Sequence, residues 1–333
     1  MQDRHGHRIS YLRVSITDRC NERCTYCMPQ ELQEWLPRAD ILTYEETLRI
    51  IRIAAELGVT KIRITGGEPL TRRGVLDLVR EIPQIAGIQS IGLSTNGTLL
   101  GRKIDSGLTM AAAMREGGVQ SVNISLDTLN RDVYAQITGR DFHEQVIEGI
   151  DAAMAAGFEQ IKLNCVLMRG RNEDQLIPLI EFAGARNLIL RFIELMPVST
   201  TEVLNEENFM SILHAKRAIE SHFGNLIPEP AFQTNGPASY YQIPDREQRV
   251  GFIGAMTNLH FCESCNKLRL TCDGKLRPCL GSYLEFDIMT PLRAGASDAE
   301  LRQFLIDVVD RKPLQHDFRE NYQPNRRMIA IGG

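Results

Sequence analysis

Six of the eight cysteines in this 333-residue chain fall into two triads. The first reads Cys20-Asn-Glu-Arg-Cys24-Thr-Tyr-Cys27. The second is Cys262-Glu-Ser-Cys265, joined by Cys279 in Leu-Arg-Pro-Cys-Leu. Three thiolates this close in sequence wrap one soft metal centre. Three ligands rather than four leave a coordination position open, whereas a structural zinc site is normally closed by four. Each triad therefore has two readings: zinc completed by a distant ligand, or an iron–sulfur cluster with one iron not held by cysteine. Near the second triad, Cys272 is an available fourth zinc ligand. Cys165 lies inside an apolar strand and reads as a buried core thiol. The seven histidines show no ligand spacing and read as surface or satisfied residues.

A glycine-rich turn, Thr65-Gly66-Gly67-Glu68-Pro69-Leu70, lies between the triads. Two glycines permit close backbone approach to a ligand. Proline stiffens the turn, and Glu68 can pair with an ammonium. Basic residues recur at strand ends or beside the second triad: Arg13, Lys61, Arg63, Lys162, Arg191, Lys267 and Arg269. Cations gathered at the inner ends of parallel strands suit a polyphosphate, because arginine forks bind phosphate oxygens in pairs. The net charge of −4 argues against bulk binding of nucleic acid, which calls for a basic face. The N-terminal residues lack the apolar stretch of a signal peptide, and no window reaches the length of a membrane span. The expected location is cytoplasmic.

These residues need elements to position them. Residues 9 to 194 alternate strand and helix: candidate strands are Ile9–Ile16, Lys61–Thr65, Gln89–Ser94, Ser121–Ser125, Ile161–Val166 and Ile189–Glu194. Segments with helical apolar spacing separate them, among them Tyr44–Leu57, Glu144–Ala156 and Gln175–Ala185. Such alternation implies parallel strands with crossover helices. The predicted fold class is α/β: a partial (βα)6 TIM-type barrel with a C-terminal α+β extension closing the open side. The expected regions are residues 1–196 for the barrel and 197–333 for the extension. Glu206–His222 reads as an amphipathic helix opening that extension. Lys267–Thr271 and Lys275–Pro278 read as a hairpin around Asp273-Gly274.

The C-x3-C-x2-C spacing, with Tyr26 in the aromatic position before the last cysteine, resembles the signature of the radical S-adenosylmethionine superfamily. The Gly66–Pro69 turn resembles that superfamily's GGEP motif. The resemblance implies a [4Fe-4S] cluster on Cys20, Cys24 and Cys27, with S-adenosyl-L-methionine chelated by the remaining iron. One electron then splits the sulfonium and yields a 5′-deoxyadenosyl radical. Cofactor contacts are implied at Tyr26, Gly67, Ser125 and Met196.

The resemblance narrows further. Two triads at the ends of a partial barrel, Leu190–Met196, Phe261–Arg269 and a chain ending Ile331-Gly332-Gly333 resemble the GTP 3′,8-cyclase family, the enzyme A of molybdenum-cofactor biosynthesis. This implies a second [4Fe-4S] cluster on Cys262, Cys265 and Cys279, whose free iron meets the purine of GTP. Implied GTP contacts are Arg13, Arg63, Ser94, Lys162, Lys267, Leu268 and Arg269, and Gly332 and Gly333 are implied to assist catalysis. Lys267 stands where many relatives have arginine, and Ser94 where threonine is common. The implied reaction, that of a lyase, converts GTP to (8S)-3′,8-cyclo-7,8-dihydroguanosine 5′-triphosphate. Implied partners are an external electron donor, a downstream pyranopterin-forming enzyme and a second copy of the chain. The alternative is a peptide-modifying radical enzyme with an auxiliary cluster, though such enzymes usually carry more C-terminal cysteines. A non-catalytic zinc module leaves the glycine-rich turn unexplained.

Overall fold

The computed structural model describes residues 1–28, 34–198, 204–234, 236–320, 322 and 324–332. Six strands come first: β1 (Tyr11–Ser15), β2 (Lys61–Thr65), β3 (Ser90–Thr95), β4 (Ser121–Ser125), β5 (Gln160–Leu167) and β6 (Ile189–Glu194). They pair in sequence order, each parallel to the next. The helices between them are α1 (Tyr44–Glu56), α2 (Val75–Glu81), α3 (Met110–Glu116), α4 (Arg131–Thr138), α5 (His143–Ala155) and α6 (Leu176–Gly184). All six expected strands are present, with ends within two residues of the sequence reading.

Local chemistry explains the boundaries. Thr43 caps α1 with a full capping box: its hydroxyl accepts from Glu46 N, and Glu46 accepts from Thr43 N. Helix α4 is absent from the sequence reading, although Asn130 announces it by accepting from the amides of Asp132 and Val133. After β6 come α7 (Ile212–Phe223), β7 (Ile227–Pro228), β8 (Ser239–Gln242), β9 (Arg249–Ile253), β10 (Lys267–Leu270), β11 (Lys275–Arg277), β12 (Phe286–Asp287), α8 (Met289–Arg293), α9 (Asp298–Asp310) and α10 (Met328–Ile331). Helix α7 starts six residues later than Glu206, because Ser211 caps it and Asn205 folds residues 205–208 into a side-chain-closed turn.

The C-terminal residues add no separate layer. Strand β9 pairs parallel with β6 at one edge, and β10 pairs parallel with β1 at the other. The result is one twelve-stranded open sheet, ordered β12-β11-β10-β1-β2-β3-β4-β5-β6-β9-β8-β7. One hydrophobic core runs behind it, from Ile9 through Leu163 to Val309. The α/β partial-barrel class holds, and its extension hems both edges. Strands β10 and β11 form the expected hairpin, with Gly274 at φ +70° in the turn.

Candidate active site: two cysteine triads on one cavity

Side chains alternate along a strand, so every second residue of the sheet faces inward. Those inward residues line a cavity of about 380 Å³, and all six triad cysteines line it too. The triads lie at opposite ends of the strands. Cys20 begins the first triad five residues past Ser15, the C-terminal end of β1. Cys265 precedes Lys267, which pairs with Tyr11 at the N-terminal end of β1. Cys279 follows β11, which runs antiparallel back to that same end.

The first triad occupies one tight turn: Cys27 N and Met28 N both donate to Cys24 O. Its electrostatics are acidic. Glu22, 3% exposed, lines the cavity between two cysteines and accepts from the Tyr134 hydroxyl. Burial pushes its carboxyl up to about 7. Asp127 accepts from the Tyr26 hydroxyl and Val166 N at 2.8 Å each, and burial raises it to about 6. Burial also pushes Cys27 up to about 12, and raises Cys20 and Cys24, where nearby carboxylates add to the effect. Buried soft donors beside carboxylates fit a cationic metal centre, which supplies the positive charge that thiolates need.

The glycine-rich turn works differently from the sequence reading. A Cβ on Gly67 would sit 2.3 Å from Arg19 O, and one on Gly66 2.8 Å from Thr17 O. These glycines let the turn dock against the cysteine loop, with Gly67 N donating to Thr17 O and Glu68 N to Arg19 O. Both glycines also line the cavity. Glu68 does not. It is fully buried and accepts from Thr95 Oγ1, Asn96 N and Leu70 N. The expected pairing of Glu68 with an ammonium is therefore corrected: its carboxylate ties the ends of β2 and β3 together.

Between the triads runs a belt of cations. Arg63 donates to the Tyr11 hydroxyl, Leu93 O and Ser121 Oγ. Arg191 donates twice to Asn164 Oδ1, and Lys162 donates to Gln160. Among the described residues none of these three makes an ion pair. Burial and then the neighbouring Arg191 and Arg63 push Lys162 down to about 6. Buried arginines without carboxylates carry an uncompensated desolvation cost, and the same cost drives Lys162 toward its neutral form; an anionic ligand offsets both. Two strand glycines make room for them. A Cβ on Gly92 would lie 2.5 Å from Arg63 Nη2, and one on Gly251 3.0 Å from Arg191 Cγ.

At the second triad, Cys265 N donates to Cys262 O, and the charged neighbours are Lys267, Arg269 and Lys312. Burial raises Cys279 to about 11, whereas Lys312 and Lys267 overcome burial and hold Cys265 below its usual value. Arg269 Nη1 donates to Gly332 O at 2.7 Å. Gly332 has φ +86°, and a Cβ there would meet Ser15 and Thr65 at 2.9 Å. The chain end thus lies inside the sheet, and Gly333 lies outside the described residues.

Arg13, Arg63, Ser94, Lys162, Lys267 and Arg269 all line the cavity, as do Tyr26, Gly67, Ser125 and Met196. Leu268 does not: its side chain is 1% exposed in the core behind the sheet, because alternation turns it away from Lys267 and Arg269. The side chain of Leu268 therefore stays away from the cavity, and within the Lys267–Arg269 segment its backbone is the part near it. Cys272 also stays out of the cavity. It is buried among Asp18, Asp273, Arg72 and Arg326, so it is no fourth ligand there. Sequence reasoning missed Tyr11, whose ring lies between Lys61 and Lys267. The signal was its place two residues before Arg13, on the same strand face.

Residues 14–183 match the Radical SAM superfamily, and residues 188–318 match Molybdenum Cofactor Synthesis C. The chain is 43% identical to the GTP 3′,8-cyclase of Pelotomaculum thermopropionicum over the whole of both chains. The belonging is settled by that full-length identity. The chain belongs to the GTP 3′,8-cyclase family. The Moorella thermoacetica member is 44% identical, again over the whole of both chains. GTP 3′,8-cyclase 2 of Pseudomonas aeruginosa is 41% identical, over 99% of this chain and 98% of its own. Among solved structures, Streptococcus suis SuiB bound to the precursor peptide SuiA superposes with a TM-score of 0.62 at 15% identity, covering 96% of this chain and 68% of that one. Native anSMEcpe with bound AdoMet gives 0.61 at 14%, covering 92% and 82%. At such identities the likeness is one of fold. The family uses two [4Fe-4S] clusters and S-adenosyl-L-methionine, and the donor chemistry of the two triads fits them.

Proposed function

We propose that this chain converts GTP to (8S)-3′,8-cyclo-7,8-dihydroguanosine 5′-triphosphate for molybdenum-cofactor biosynthesis, with the two triads dividing the work. The observation that carries this reading is the belt of buried basic residues, without ion-pair partners among the described residues, between two cysteine triads on one cavity. A bound cluster with S-adenosyl-L-methionine would supply one-electron, radical chemistry. Cys20, Cys24 and Cys27 hold that cluster, and Tyr26, Gly67, Ser125 and Met196 border the cofactor. Cys262, Cys265 and Cys279 would hold the second cluster, on the same cavity as the substrate cations.

The chain's own residues do the positioning. Arg13, Arg63, Lys162, Lys267 and Arg269 meet a triphosphate of about four negative charges, with Ser94 adding a hydroxyl. Fixing the ribose C3′ near C8 of the base replaces a costly encounter by an intramolecular closure. Arg269 holds Gly332 through its carbonyl, the residue from which the terminal glycine follows in sequence. Apolar Ile193, Val198 and Ile329 exclude water from the same cavity. Division near Met196 separates the radical S-adenosylmethionine partial barrel, residues 1–196, from the C-terminal region that carries the second triad and the Gly-Gly tail, residues 197–333. Among the described residues no helix is long and apolar enough to cross a membrane, and the reading places the enzyme in the cytoplasm. It takes its electron from an external donor, passes its product to a pyranopterin-forming enzyme and pairs with a second copy of itself.

The test is 5′-deoxyadenosine formation by reconstituted, reduced enzyme with S-adenosylmethionine, comparing GTP, ATP and a peptide mixture. Stimulation by GTP alone is expected. Stimulation by peptides instead would overturn the substrate assignment and favour the peptide-modifying alternative.

A further inference from the structure

Lys312 follows α9, and its side chain is 3% exposed, yet it does not border the cavity. An ammonium has three protons to donate. Those of Lys312 go to Lys267 O at 3.1 Å, to Pro278 O and to the Cys265 sulfur. The first carbonyl lies two residues after Cys265 and the second one residue before Cys279. Cys262 and Cys279 also feel the same positive charge. Among the described residues no carboxylate pairs with Lys312. A buried ammonium with no anionic partner is costly. Among the described residues its anionic neighbours are the thiolates of the second triad.

We infer that Lys312 is the buried counter-cation of the second iron–sulfur centre, a positioning residue that clamps the two chain segments bearing Cys265 and Cys279 and stabilises the centre's reduced state. This deepens the functional reading and rests on its second cluster. An added electron makes a thiolate-bound cluster more negative, so a fixed positive charge behind it favours the reduced form and raises its potential. Lys267 and Arg269 line the cavity on the substrate side. Lys312 stands behind the triad, so its charge acts whether or not substrate is bound. At the first triad, among the described residues, the buried charged neighbours of the thiols are Glu22, Glu68 and Asp127, and Arg23 there donates to the backbone carbonyls of Cys20 and Glu22.

The experiment is a spectroscopic redox titration of the reconstituted full-length enzyme, following both clusters, for the wild type, Lys312→Met and Lys312→Arg. In Lys312→Met the second cluster's midpoint is expected to move to more negative potential, while the first cluster, serving as internal reference, does not move. Lys312→Arg restores the wild-type value. Selective loss of iron from the second triad in Lys312→Met, with iron kept in Lys312→Arg, supports the same role through assembly. An unchanged second midpoint in Lys312→Met, even with a lower melting temperature, overturns the proposal and leaves Lys312 a structural staple. Equal loss in both variants overturns it too, because shape rather than charge is then at stake. A wild-type protein with zinc and no iron at the second triad fails the two-cluster reading itself, a separate result visible before any variant is made.

Discussion

At the first triad the buried charged neighbours are carboxylates, Glu22, Glu68 and Asp127, each raised by that burial, while Arg23 reaches the backbone carbonyls of Cys20 and Glu22. At the second they are cations: Lys267, Arg269 and Lys312. The ligand set is the same, three cysteines on one cavity, but the surrounding charge is reversed. An acidic setting favours a cationic ligand such as a sulfonium and resists an added electron, whereas a basic one attracts an anionic substrate. Two chemically equal triads thus acquire different tasks from residues that are not metal ligands.

The comparison can be broken at the bridge between the ends, the Arg269–Gly332 contact. Arg269→Ala, or deletion of Gly332 and Gly333, is expected to leave both clusters in place. Cyclised product should fall about a hundredfold, since small misplacements cost that much. Product formation at the wild-type rate in both variants would remove the tail from the mechanism.

Much of this contrast could be read from the sequence, and part could not. Cysteine spacing and the strand-then-helix rhythm are local patterns, so both triads and six strands stood out before any coordinates. The direction of a side chain needs the register. Leu268 sits between two inward cations yet turns to the core, and Glu68 carries the family-like motif yet spends its carboxylate on Thr95 and Asn96. Lys312 is legible only in three dimensions: it lies 47 positions beyond Cys265 and meets it by folding.

Gly92→Ala tests the belt without touching a charge. Its methyl group would collide with Arg63 Nη2, so KM for GTP is expected to rise about tenfold, the equivalent of roughly 1.4 kcal/mol. The slow cleavage of S-adenosylmethionine without GTP should stay as in the wild type. A KM that does not move would show that Arg63 does not serve the triphosphate.

Lys162 gives a finer reading. Its folded value is pushed down to about 6, chiefly by burial, so at pH 8 it is neutral in the empty protein. A triphosphate favours the ammonium and raises that value, so binding must take up a proton, at most about one per chain. Calorimetry of GTP binding in two buffers of different ionisation enthalpy measures the uptake. Lys162→Met should abolish it, and an equal uptake in that variant would assign the proton elsewhere.

Leu268→Ala sets the lower bound. Removing a fully buried leucine should destabilise the fold by about 2–5 kcal/mol in a denaturant titration. KM for GTP should be unchanged, because the side chain faces away from the cavity. A raised KM at full cluster content would restore Leu268 to the site.

The division of labour is tested most directly with one-triad enzymes. A chain with Cys262, Cys265 and Cys279 replaced by alanine should still cleave S-adenosylmethionine under reducing conditions but lose tight GTP binding. A chain with Cys20, Cys24 and Cys27 replaced should bind GTP and cleave nothing. Tight GTP binding that survives loss of the second triad, or cleavage that survives loss of the first, would contradict the account.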